Sequence, residues 1–187
     1  MNKRKLLGSL LIIFLVMGLI YAVEEGNVIT AMSSNSNSFL AVQPLDFSSI
    51  LSAGAFQSKD GTKLQVCLSN ADFDITQMSN DYVIPITEKS QFIAVIKFSN
   101  ARQENIAGTY NANAGYGKPF WGYAEIKLYN GDKGVMVSLG VNEGTAVITE
   151  KTADHIKGTF DLRSVTKSGK NAELTGTFDC PLTTSKW

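Results

Sequence analysis

One histidine, two cysteines and four prolines in 187 residues leave this chain few groups that carry chemistry. His155 stands alone, which excludes a site built from several imidazoles. There is no Gly-x-Ser-x-Gly elbow and no Cys-x-x-Cys pair. Gly117-Lys118 is followed by Pro119 and lacks the upstream glycine of a phosphate loop. Asp72 and Asp74 open like a calcium loop, but Gln77 and Val83 stand where its glycine and glutamate belong. Local turn bonding by the Asx side chains accounts for that stretch better. Charge of one sign is missing as well, with 17 basic and 17 acidic residues. Without Lys3, Arg4 and Lys5 of the first 22 residues the balance is 14 against 17, a slightly acidic chain with no footprint for nucleic acid. No stretch after residue 22 carries an apolar stripe of 3.6-residue period with caps, so helices are not expected there. Few catalytic groups and no cofactor signature point away from an enzyme, and no metal or other cofactor is expected.

What is present begins with a basic Met-Asn-Lys-Arg-Lys followed by an apolar run over residues 6–21. That pattern reads as a signal peptide over 1–22 ending near Ala22, helical in its apolar part. The alternative is an uncleaved anchor, although the run falls short of the roughly 20 residues a spanning helix needs. Either way the chain is expected to be exported, to a periplasm or the extracellular space. No cysteine follows the apolar run, so a lipoprotein is not expected, nor is membrane contact beyond this segment. Residues 23–39, with alternating Ser and Asn over 33–38, read as a flexible spacer, and the domain as residues 40–187. In an exported chain Cys67 and Cys180 permit one disulfide, which in the chain-entropy model contributes about 4–5 kcal/mol. Cys67 lies off the apolar face of Leu64, Val66 and Leu68, whereas Cys180 shares the apolar face of its own strand, so two buried free thiols are the equal alternative.

Period-two alternation dominates the rest. Segments 53–57 and 62–69 flank an Asp60-Gly61 turn, and 91–98 is apolar on both faces, as a strand covered on both sides would be. Pro85 confines 82–87 to an edge, as Pro44 does 42–47. Over 120–129 Phe120, Gly122, Ala124, Ile126 and Leu128 share one face, with Trp121, Tyr123, Glu125, Lys127 and Tyr129 on the other. The expected fold is all-β, a single antiparallel β-sandwich or flattened barrel of about nine strands, with turn signals every 8–12 residues or so.

The last quarter is the most informative. Gly158-Thr159-Phe160-Asp161 is echoed by Gly176-Thr177-Phe178-Asp179 across a turn at Lys167-Ser168-Gly169-Lys170. One antiparallel register satisfies every pair. Phe160 then faces Gly176, and Gly158 faces Phe178, so each ring covers the gap opposite a glycine. On the other face Lys157 meets Asp179, Arg163 meets Glu173, and Thr159 meets Thr177. Asp161 and Asp179 are thereby explained by cross-strand pairing rather than as the carboxylate pair of a glycosidase. With Ile106-Ala107-Gly108-Thr109-Tyr110 as a weaker third copy, this ending resembles that of uncharacterised exported bacterial all-β proteins. The resemblance implies an all-β fold in the cell envelope or outside the cell, and carries no activity.

Two functions compete. In the first, Trp121, Tyr123 and Tyr129 form an aromatic row on a sheet face, with Tyr116 in the adjoining Gly- and Asn-rich loop, and bind a glycan or a protein surface. A second sheet or the N-terminal segment covering that face would instead make the row core. In the second, the strands close as in calycins around a small apolar ligand, lined by Phe92, Phe98, Phe120, Ile126, Phe160 and Phe178. His155, beside Asp154 at the start of a strand, is expected to be a solvated turn residue.

Overall fold

The computed structural model describes residues 28–34, 50, 52–74, 88, 91–130, 135–165 and 171–184, of which 28–34, 126–130, 135–141, 164–165 and 171–172 as backbone only. The strands are β1 (Val28–Ser34), β2 (Ser52–Gln57), β3 (Lys63–Ser69), β4 (Phe92–Ser99) and β5 (Gly108–Asn111), then β6 (Trp121–Asn130), β7 (Val135–Val141), β8 (Glu143–Lys151), β9 (His155–Val165) and β10 (Asn171–Thr184). A 3-10 turn, Ala112–Ala114, leads out of β5.

The strands close on themselves. Around the circuit β2, β3, β4, β6, β5, β8, β9 and β10 each pair with the next, and β10 returns to β2, giving an eight-stranded barrel. Two seams are parallel: β10–β2, from Leu182 opposite Ala55, and β5–β6, at Asn111 opposite Trp121. β1 lies along residues 172–177 of β10, and β7 along residues 124–130 of β6. The all-β reading holds, and of the two expected forms the chain takes the barrel, closed by eight strands of mixed direction, rather than the antiparallel sandwich of about nine. Alternating strands look alike in a sandwich and a barrel, because each has one face toward a core in both. β1 lies inside the stretch read as a spacer. The signal segment, the expected edge segments 42–47 and 82–87, and the expected turn at 167–170 lie outside the described residues.

The β9–β10 hairpin adopts the expected register throughout, with Phe160 opposite Gly176, Gly158 opposite Phe178 and Lys157 opposite Asp179. Phe160, Phe178, Leu162 and Leu174 are buried. On the outer face Lys157 Nζ stands 3.2 Å from Asp179 Oδ2, and Arg163 lies 3.5 Å from Glu173 Oε1. Gly158 has a second role, because β8 crosses it closely. A Cβ added there would run into both the Val147 carbonyl oxygen and the Phe178 ring.

The barrel interior is one apolar cluster that includes Leu64, Val66, Leu68, Phe92, Ile96, Phe98, Tyr110, Ile148, Ile156, Phe160 and Phe178. Phe98 meets Tyr110 edge-on at 5.1 Å and Phe178 at 6.1 Å between ring centroids. A smaller cluster, Phe56, Cys67, Ile93 and Val95 with Phe73 packed against it, lies on the other face of the β2–β3–β4 wall. β4 is therefore covered on both faces, as its composition implied.

Residues 100–107, between β4 and β5, are bonded to the β2–β3 turn and to the end of β8. Asn105 donates its backbone N–H to Gly61 O at 2.9 Å, and its side-chain amide reaches Gly61 O and Thr62 O at 3.2 and 3.1 Å. The buried Tyr110 hydroxyl accepts from Ile106 N at 3.0 Å and donates to Ile106 O at 2.9 Å. Lys151, at the end of β8, reaches across to Glu104 at 3.0 Å. The side-chain oxygens of Asn100 and Asn105 are buried there without a hydrogen-bonding partner among the described residues.

Two outcomes follow. Gly158→Ala forces β8 or Phe178 to move and is expected to cost about 3 kcal/mol, a fall in Tm of about 6–12 °C by thermal unfolding; an unchanged Tm would show that the close approach is not there. The Lys151 ammonium holds the Glu104 carboxyl below its ordinary 4.5, so the pair's contribution is whole above that pH and is lost as pH falls through the depressed value. Glu104 is largely exposed, so the contribution stays under about 1 kcal/mol. Lys151→Met should lose less Tm than the parent between about pH 5 and pH 3, and parallel curves would count against the pair.

Candidate functional site

The aromatic row begins where the chain leaves the barrel after β5. The 3-10 turn and residues 115–120 form a surface loop, tied at its base by Asn111 N–H to Phe120 O at 2.9 Å. Phe120 holds φ at 52°, a left-handed conformation that costs a non-glycine residue of order 1–3 kcal/mol. That joint turns neighbouring rings apart. Phe120 packs inward on Tyr110, centroids 5.5 Å apart, while Trp121 begins β6 on the outer wall.

On that wall Trp121 and Tyr123 lie nearly parallel, 13° between planes and 5.7 Å between centroids. Tyr116 comes from the loop to meet Trp121 at 83° and 5.4 Å. Trp121 and Tyr123 are half-buried and Tyr116 is 84% exposed, so among the described residues this face is neither core nor covered by a second sheet. The described structure thus brings together Trp121, Tyr123 and Tyr116. The Tyr129 side chain, expected in the same row, lies outside the described residues.

The β4–β6 pairing adds two groups that sequence reasoning did not assign to the site. Lys97 stands opposite Tyr123, and Val95 opposite Glu125. Lys97 Nζ approaches Glu125 Oε2 at 3.6 Å, with Glu125 side-chain exposure of 18% against 43% for Lys97. Burial pushes the Tyr123 phenol up, and the Glu125 carboxylate adds to the effect, so the hydroxyl stays a hydrogen-bond donor at neutral pH. Lys97 is the one charged residue in β4, but only the tertiary pairing of β4 with β6, which are separated in sequence by β5, brings it to the rings.

The other candidates sit elsewhere. His155 opens β9 rather than lying in a turn, and its Nε2 lies 2.5 Å from Asp179 Oδ1, the carboxylate that Lys157 also reaches, with the imidazole still partly exposed. The nearby Thr152 hydroxyl is turned to Asp154 at 2.9 Å. Asp161 stands opposite Thr175, with Arg163 at 3.4 Å. Among the described residues no three His, Cys, Asp or Glu side chains gather in a way that would hold a metal ion.

Cys67 and Cys180 are both buried and not bridged to each other. β2 lies between their strands, and they belong to different clusters, Cys67 to the outer and Cys180 to the interior one. Burial first, then the neighbouring Cys67 and Asp179, pushes the Cys180 thiol up to about 12. The chain matches no family model, no curated protein and no solved structure. A thiol reagent such as DTNB should find no rapidly reactive group in the folded protein at neutral pH and two once the chain unfolds without reductant. No thiol released on unfolding would mean that the two cysteines are bridged.

Proposed function

We propose that this is an exported, non-catalytic β-barrel domain that takes a glycan or a protein surface on its outer aromatic ledge. The observation that carries the reading is Tyr116, a tyrosine 84% exposed and held edge-on against Trp121 by a loop whose base is strained. Aromatic rings left in water on a rigid wall favour partners that present an apolar face with a polar edge. Backbone strain at the base of such a loop is the kind of cost that persists where a loop has a task. Export rests on the basic and apolar opening of the sequence.

The closed barrel favours a second reading, a calycin-like carrier of a small apolar ligand. Phe92, Phe98, Phe160 and Phe178, named as its lining, are interior. Against it, the Phe98 ring packs on both Tyr110 and Phe178 in the interior, which takes up space a ligand would need.

Trp121→Ala separates the two readings. On a glycan array and in pull-downs the variant should lose binding by at least about tenfold while keeping its Tm within a few degrees, since the ring lies on the outer wall. Binding of an apolar fluorescent probe that Trp121→Ala leaves unchanged, with no other ligand captured, would favour the carrier.

A further inference from the structure

Resting on the ledge as the binding face, we infer that its ligand is a neutral carbohydrate, whose ring faces lie on the aromatics and whose neighbouring hydroxyls bridge Lys97 and Glu125. Three observations lead there.

The first concerns size. Among the described residues, the large apolar side chains left in water are Tyr116 and Ile106. A stable protein interface takes about 800 Å² from each partner around an apolar centre. One exposed ring and two half-buried ones, each an aromatic side chain of about 150–250 Å² in total, fall well short of that. The ledge suits a narrow ligand.

The second concerns shape. Trp121 and Tyr123 stand 5.7 Å apart and nearly parallel, whereas a third flat ring between them would need about 7 Å, two stacking contacts of about 3.5 Å. A planar base or dye therefore does not intercalate there, and a ligand must lie along the outside of the rings. A pyranose does this well. Its axial C–H bonds present an apolar, slightly positive face to the negative face of an aromatic ring, while its hydroxyls point outward around the edge.

The third concerns charge. Beside Tyr123 the wall offers an ammonium and a carboxylate 3.6 Å apart, wider than the 2.7–2.9 Å or so of a closed charge-assisted hydrogen bond. Two adjacent hydroxyls match such a gap, one donating to Glu125 and the other accepting from Lys97. The Tyr123 phenol supplies a further donor. A polyanion would meet the Glu125 carboxylate and a polycation the Lys97 ammonium, so the paired charges select a neutral ligand.

The full chain should be titrated with soluble neutral hexasaccharides (cello-, xylo-, malto- and chito-oligosaccharides) and with polygalacturonate as the acidic comparison. At least one neutral series should bind, and Trp121→Ala and Tyr116→Ala should abolish it. Glu125→Gln and Lys97→Met should each weaken it by roughly tenfold, the loss of a hydrogen bond to a charged group, with circular dichroism unchanged. No binding of any neutral series, or binding that both charge variants leave at parent strength, would overturn the inference. If Trp121→Ala abolishes capture of a protein or of polygalacturonate instead, the binding face stands and the neutral carbohydrate falls. Binding indifferent to Trp121→Ala removes both.

Discussion

Three strands converge on Gly158, and the barrel depends on their being able to do so. Phe178 of β10 lies over the glycine from one side while the Val147 carbonyl of β8 approaches from the other, and any side chain there would push one of them away. The hydrogen atom at that position lets β8, β9 and β10 form one tight wall without a void beneath the ring. Close packing of this kind separates a single well-ordered arrangement from a loosely collapsed one. The opposite charges on the outer face, Lys157 with Asp179 and Arg163 with Glu173, add little energy in water. Their contribution is to register, since a slip of one residue would bring each to the wrong face.

From that wall the closure follows. β10 runs on past the end of its pairing with β9 and takes β2 as a parallel neighbour, so the sheet has no free edge between them. Closure then decides which of two apolar surfaces becomes the interior. The larger cluster fills the barrel, and the smaller one around Phe56, Cys67, Ile93 and Val95 is packed on the outside of the same strands. The same division separates the two cysteines and sends Phe120 and Trp121 in opposite directions. A strained backbone joint between an inward-packed ring and an outward-facing one is how the fold holds three aromatics on its outer wall.

Much of this could be read from residue order, and the parts that could not share a cause. The hairpin register, the Asp-Gly turn between β2 and β3, and the two-faced burial of β4 are local or nearly so, and alternation reports them directly. The inward set Phe120, Gly122 and Ala124 and the outward set Trp121, Tyr123 and Glu125 were equally legible. The order β4–β6–β5–β8 was not, because strands that are not consecutive in the chain find each other through packing that no single segment encodes. Lys97 was overlooked for that reason. It becomes part of the ledge only when β4 pairs with β6. β1 was overlooked for a different one: its short, uncharged, serine-ending sequence resembles a linker, and it becomes a strand by pairing with residues 172–177 of β10.

Sequence alone determined that the chain is built of strands, which residues share a face, and how the last two strands lock together, because side-chain alternation and the fit of ring to glycine act between near neighbours. Tertiary structure decided that the sheet closes as a barrel with two parallel seams, that its interior holds packed rings, and that a lysine and a glutamate stand beside the outer aromatics. Those outcomes depend on where distant strands meet, and that is settled by the joint burial of all their inward faces at once.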